Sequence, residues 1–264
     1  MIMEVAREAW RAYKRNFRTL LVAVIIYFGI IYAIMGLGFA LFYMLGQTAI
    51  SAALMMAFFA ISILVSYPLA GGLFKMCLDA LGKGARVGTM FRAARERWQT
   101  FIGIGLLFAA IVLIPILLMM APIMMMGSAY SYAASAAIMM ILAMIVGYVL
   151  IIILTLLLSF SFPAAVVDNL RAVEAVKRSY NFAKPRFLSV FALFIIILIM
   201  MAAIAIPFIV AAFFIFIFLG PMAMLVGVYI AFIVGMFAAS PLQYLALTSF
   251  YIKNRKSVKK SKGR

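Results

Sequence analysis

The sequence predicts an all-α polytopic membrane protein, with six transmembrane helices in three hairpin repeats, each preceded by an amphipathic interfacial helix. Three observations carry this. Of 264 residues, 69% are hydrophobic and 11% charged, where a soluble domain has about 45–50% and about 25%. The charges fall in four islands, at 1–18, 75–97, 168–186 and 253–264. The runs between them, 19–74, 98–167 and 187–252, contain no Asp, Glu, Lys or Arg.

The runs hold 56, 70 and 66 residues. A helix crosses the hydrocarbon with about 20, so each run suits two spans joined by a turn. The turns are marked by Gly46-Gln47-Thr48, by Gly127 to Tyr132 and by Gly220-Pro221, since Gly and Pro end helices. The predicted spans are 19–45, 49–74, 99–126, 133–162, 187–219 and 222–250. These runs lack the alternation of barrel strands, and backbone in lipid must satisfy itself, so the spans are helices. Residues 1–252 form one six-helix domain with repeat units of about 1–74, 75–167 and 168–252, followed by a basic tail, 253–264. Pro115, Pro122 and Pro207 are expected to kink the third and fifth spans.

Six spans place both termini and every charged island on one side. The net charge is +17, and basic loops remain in the cytoplasm. The expected location is the cell membrane, multi-pass, with both termini cytoplasmic. The apolar run after Arg18 is too long for a signal-peptide core, so the first residues are expected to stay on the chain.

Two features recur in each unit. One is a basic amphipathic stretch before the odd-numbered span. Its apolar face is expected at Val5, Ala9, Tyr13 and Phe17, beside Trp10, in the first copy. In the second it falls at Phe91, Ala94, Trp98 and Phe101, and in the third at Val173, Val176 and Tyr180. Apolar residues at helical period, opposed by Arg and Lys, mark a helix lying in the membrane interface. The other feature is a Pro with Ser just before it near the end of each even-numbered span: Pro68, Pro163 and Pro241. A hydroxyl there can satisfy the carbonyl that proline frees. Small residues at four-residue steps open the even spans: Ala49, Ala53 and Ala57; Ala129, Ala133 and Ala137; Ala223, Gly227, Ala231, Gly235 and Ala239. Such steps let helices approach closely, and the sixth span is expected to be the most buried.

The inventory limits the chemistry. Without His there is no Ser-His-Asp triad and no imidazole ligand, and Cys77 alone cannot hold zinc. No catalytic residue, metal or cofactor is expected. The spans carry no ionisable group of the kind that marks proton relays and ion-coupled carriers, and hydroxyls such as Ser62 and Thr155 are expected to bond their own helices. Candidate anionic-lipid contacts are Arg11, Lys14, Arg15, Arg18, Arg92, Arg95, Lys177, Arg178, Lys253, Arg255, Lys256, Lys259 and Lys260, since basic clusters beside a span attract anionic headgroups. The expected partners are membrane lipids. Nucleic acid is not expected, because the tail offers no fold or aromatic platform. Asp168 and Asn169 are expected to cap the start of the third amphipathic helix; the other reading is a polar site made with Lys177 or Arg178. Lys75 and Asp79 are spaced to pair on a helix. Cys77, near the boundary, is a candidate for palmitoylation.

Ser159-Phe-Ser-Phe-Pro-Ala-Ala-Val-Val-Asp-Asn169, followed by Ala172-Val-Glu-Ala-Val-Lys-Arg-Ser-Tyr180, resembles a group of prokaryotic six-helix membrane proteins. The group includes the membrane domain attached to some glycerophosphoryl diester phosphodiesterases. The similarity extends to Ala9–Phe17 and to the segment after Ser240-Pro241. In the phosphodiesterases the chemistry belongs to a separate soluble domain with metal-binding carboxylates and His, which this sequence does not show. The resemblance therefore implies a membrane module without that activity. The expected function is an integral membrane protein without enzymatic activity, membrane-organising or lipid-associated. The alternative is a permease, channel or lipid-translocating protein not coupled through intramembrane charge.

Overall fold

The computed structural model describes residues 2–46, 48–126, 133–216 and 220–261, with side chains except at 122–137, 215–225 and beyond Arg255. The helices are α1 (Ile2–Met44), α2 (Ala49–Gly82), α3 (Val87–Glu96), α4 (Trp98–Met126), α5 (Ala133–Leu158), α6 (Ser161–Asp168), α7 (Ala172–Ala183), α8 (Phe187–Phe216) and α9 (Pro221–Ser261), with a 3-10 turn at Lys184–Arg186. Six are long and apolar enough to cross a membrane, and there is no strand among the described residues. The chain is thus an all-α, multi-pass membrane protein.

Three hairpins are present, α1–α2, α4–α5 and α8–α9. The first turn uses Gly46 at φ 75°, and Thr48 caps α2 through its hydroxyl, which accepts from Ser51 N–H at 3.3 Å. Gly220, at φ 95°, precedes α9. The turn expected at Gly127 to Tyr132 lies outside the described residues, as do Gln47 and the side chains of Ala129, Ala133, Ala137 and Ala223.

Packing is concentrated at the end of the bundle where the charges lie. Phe160, Phe182, Phe250 and Tyr251 form an aromatic cluster there, all fully buried, with ring centroids 4.9–6.3 Å apart. Away from it the helices expose large apolar side chains, as at Tyr43, Ile50, Ile114, Ile141 and Phe214. The window of α9 that qualifies as a span is 50% buried, against 11–22% for the others. As expected, the sixth span is the most enclosed.

Burial gives the threefold repeat a residue-by-residue register. Buried residues of the amphipathic segments are Val5, Ala9, Ala12 and Tyr13 in α1; Met90, Ala93 and Ala94 in α3; and Ala175, Ser179, Phe182 and Ala183 in α7. Positions 9, 90 and 179 correspond, as do 12, 93 and 182, and 13, 94 and 183. The same offsets continue into the odd spans, where Leu20, Phe101 and Val190 are all buried, and so are Ala23, Ile104 and Leu193. Of the expected apolar faces, Val5, Ala9, Tyr13, Ala94 and Phe101 are buried, while Phe17, Phe91, Trp98, Val173 and Tyr180 are exposed, available to lipid as the face of an interfacial helix is. A break before each span also resets the period: Asn16 has non-helical angles inside α1, Arg97 separates α3 from α4, and the 3-10 turn precedes α8.

The small-residue steps hold for α9 and fail for α2. Gly227, Ala231, Gly235 and Ala239 are buried, and a Cβ on Gly235 would lie 2.8 Å from Ala205 Cα on α8. Ala49, Ala53 and Ala57 are exposed; α2 instead buries Ser51 and Ser62. The Ser–Pro pairing works as expected at Pro241, where Ser240 Oγ donates at 3.1 Å to Phe237 O, the carbonyl that this proline frees. At Pro68 the hydroxyl of Ser66 bonds Ile63 O, one residue away from the freed carbonyl. Pro163 lies in the first turn of α6, where no helical amide bond is lost, because the chain breaks at Ser159-Phe160. Ser179 of α7 bridges that break: it donates to Leu157 O at 2.7 Å and accepts from Phe160 N–H at 3.1 Å. α8 continues through Pro207.

Gly235→Leu is expected to force α8 from α9 and to cost about 1–3 kcal/mol, the usual range for overpacking. Gly29→Ala, where nothing lies within 4 Å of the new methyl, is expected to be neutral or to gain up to about 1 kcal/mol from helix propensity. Thermal unfolding in detergent reads both, and equal effects would contradict the α8–α9 seam.

Candidate functional site

Among the described residues, polar side chains converge at the charged end. The α6–α7 connection is its centre. α6 ends at Asp168, and Asn169 adopts the left-handed conformation, φ 56° and ψ 38°, which Asn tolerates better than most residues. This corrects the expected capping role: Asp168-Asn169 closes α6 instead of opening α7. α7 begins after Arg171, whose N–H donates to the Glu174 carboxylate at 3.3 Å.

A carboxylate at a helix C-terminus opposes the helix dipole, so Asp168 needs compensation. Tyr251 OH donates to its Oδ2. Arg255 Nη1 lies 3.3 Å from Oδ1, and Arg178 Nε 3.7 Å from Oδ2. The second expected reading, a polar site with Arg178, is the geometry present, and Tyr251 and Arg255 of α9 complete it. Lys177 is not part of it; its side chain is exposed on the flank of α7. The cluster joins α6, α7 and α9.

Arg97, which the sequence reading passed over, serves the same end. Its guanidinium donates to Ala165 O and, at 2.7 Å, to Leu170 O, and it stands 5.9 Å from the Phe101 ring centre. Those carbonyls end α6, where a cation is favoured. Partial burial holds Arg97 below its usual pKa. In the repeat register Arg97 corresponds to Asn16 and Arg186. Asn16 Nδ2 donates to Ala12 O at 2.9 Å and to Ala80 O at 3.3 Å, and Arg186 Nη1 to Phe182 O at 3.2 Å. Three register-equivalent side chains therefore donate to backbone carbonyls at the break before an odd span.

The other candidates divide into two groups. Arg15 Nη2 donates to Ala80 O at 2.7 Å, ending α2. Lys253 Nζ meets Glu8 Oε2 at 2.8 Å, and Ser249 Oγ donates to the same oxygen at 2.9 Å. Lys253 and Arg255 thus lock the first turn of the expected tail onto the bundle, and α9 runs unbroken to Ser261. By contrast Arg11, Lys14, Arg18, Arg92 and Arg95 are exposed. The side chains of Lys256, Lys259 and Lys260 lie outside the described residues. Lys75 and Asp79 pair at 3.4 Å as expected. Cys77 is fully buried among the core residues, which leaves its thiol inaccessible for acylation.

The carboxylates do not gather. Glu8, Asp79, Asp168 and Glu174 each bond a different set of partners, and the described residues hold no group of three or more Asp, Glu or Cys able to bind a metal. The hydroxyls of Ser62, Ser66 and Thr248 donate to carbonyls of their own helices, and those of Ser159 and Ser161 to the last turn of α5. Compared with protein-family models, with curated proteins and with solved structures, the chain has no match.

Asp168→Asn is expected to leave two guanidinium groups without their anion and to cost about 1–3 kcal/mol. Tyr251→Phe is expected to cost a similar amount, since the bond is to a charged acceptor. A double-mutant cycle read by unfolding in detergent should give a coupling above about 0.5 kcal/mol; additive effects would show that the contact contributes nothing.

Proposed function

We propose that the chain is an integral membrane protein without enzymatic activity that organises or associates with lipid. Its basic face lies on anionic headgroups at the cytoplasmic side of the cell membrane. The observation that carries this is the segregation of charge. Exposed Arg11, Lys14, Arg18, Arg92, Arg95 and Lys177 share one end of a bundle whose flanks, among the described residues, expose large apolar side chains. Each basic residue near an anionic surface is worth about 1 kcal/mol, so a face of this kind seeks such a surface.

Against the permease reading stand the hydroxyls of Ser62, Ser66, Ser240 and Thr248, which are turned back on their own helices. The gap beside Met35, Phe39, Met55, Met56 and Phe59 is apolar as well. A solute path would need polar groups facing one another across spans. Against a headgroup-directed enzyme stands the dispersal of the carboxylates into separate structural bonds.

Native mass spectrometry of protein extracted from vesicles of equal phosphatidylcholine and phosphatidylglycerol should show retained lipid enriched in phosphatidylglycerol. Retention in the proportions of the vesicle would defeat the reading. Orientation is tested by an impermeant maleimide on intact cells. Thr48→Cys should react from outside and Ser257→Cys only after permeabilisation; the reverse pattern would invert the topology.

A further inference from the structure

Two grooves on the flank of the bundle repeat each other residue by residue. The first, about 390 Å³, separates the α4–α5 hairpin from α7. The second, about 450 Å³, separates α8 from the start of α1. Val173, Val176, Lys177 and Tyr180 wall the first. Met3, Ala6, Arg7 and Trp10 wall the second, and each stands 170 positions before its counterpart. The floors correspond too: Leu107 and Ile111 in the first align with Ile196 and Met200 in the second, 89 positions on. These are the offsets that relate the buried positions of the three units. In both grooves an amphipathic segment therefore overhangs the span or hairpin of the unit before it, counting the first unit as following the third.

The rims match in chemistry. Arg7 and Trp10 line one, and the Lys14 ammonium stands beside it, 5.1 Å from the Trp10 ring centre. Lys177 and Tyr180 line the other, and the Lys184 ammonium stands beside it, 5.4 Å from the Tyr180 ring centre. Each rim is base, amphipathic aromatic, base. Trp and Tyr, apolar in body and polar at one tip, favour the level of the headgroups. The third copy, on α3, reads Gly88, Phe91, Arg95. It lacks the first base and the polar tip, and the gap there is lined by Phe91, Arg92, Arg95 and the acidic Glu96, with no apolar residue of a span among them.

We infer that the two grooves are equivalent seats for an anionic phospholipid, one acyl chain along the apolar floor and the phosphate held between the two bases beside the aromatic. The inference rests on the lipid-associated reading above and gives it a location. An apolar trough beneath a cationic rim, on a chain with six membrane-length helices, is complementary to both ends of such a lipid. The recurrence at two of three junctions, with the required side chains missing at the third, ties the groove to the chemistry of the rim.

The chain has two tryptophans, Trp10 and Trp98, so Trp98→Phe leaves Trp10 as the only indole reporter for the second groove. Tyr180→Trp with Trp10→Phe and Trp98→Phe reports the first, and Phe91→Trp in that background reports the α3 copy. Each is reconstituted with acyl-brominated phosphatidylglycerol or phosphatidylcholine at equal mole fraction. The reporters at 10 and 180 should favour the anionic quencher about fivefold, what one basic residue near such lipid is worth. Arg7→Gln should lower the preference at 10 alone, and Lys177→Gln at 180 alone, while the reporter at 91, beside Arg92 and Arg95 but without an apolar floor, should show less than either. Equal quenching by the two lipids at 10 and 180 would overturn the seats, as would the same preference at 91. Native mass spectrometry of the wild-type chain separates the two levels. Phosphatidylglycerol enrichment without a preference at 10 or 180 removes the seats and leaves the broader reading standing. No enrichment removes both.

Discussion

Charge cannot enter hydrocarbon without a heavy cost, and this one constraint orders the rest of the chain. It sends every charged residue to four short islands and leaves three long neutral runs, and the runs must fold back in pairs. Once the islands share one end, the helix termini there must find partners in a crowded, partly dry space. Arg15, Asn16 and Arg97 supply them by donating to the carbonyls that end α2 and α6. Ser179 does the same for the break between α5 and α6. The Asp168 cluster then fastens α9 to α6 and α7. The charged end is accordingly both the polar face and the mechanical centre of the molecule.

That arrangement explains which parts of the structure the sequence discloses. The six spans and their pairing follow from where Lys, Arg, Asp and Glu are absent, a signal that tertiary packing cannot erase. The threefold repeat was visible in its recurring basic segments, yet its register was not. Val173, Val176 and Tyr180 form the apolar stripe that spacing shows, and Ala175, Ser179, Phe182 and Ala183 beside it are the residues buried against protein. Within lipid, burial selects for fit more than for hydrophobicity. Only the coincidence of burial at 9, 90 and 179, and at 12, 93 and 182, fixes the alignment.

The site was legible in outline. Asp168 stood out, and a partnership with Arg178 was one of its two readings. The role of Tyr251 was hidden because the sequence places it eighty-three residues away and at the end of a span. Arg97 was hidden by company, as one of six basic residues in its island. The correct repeat register singles it out, beside Asn16 and Arg186, as the position that donates to main-chain carbonyls.

The packing of the bundle at one end has a consequence for the surrounding bilayer. At the charged end, α9 and the amphipathic segments fill the space between hairpins, and protein meets protein. Toward the turns, side chains such as Met44, Ile50, Ile114 and Tyr229 are exposed, and the hairpins present their flanks to acyl chains. The leaflet that holds the turns must therefore supply more boundary lipid per protein than the other. The molecule imposes an unequal solvation on the two halves of the membrane, set by where its small residues stop.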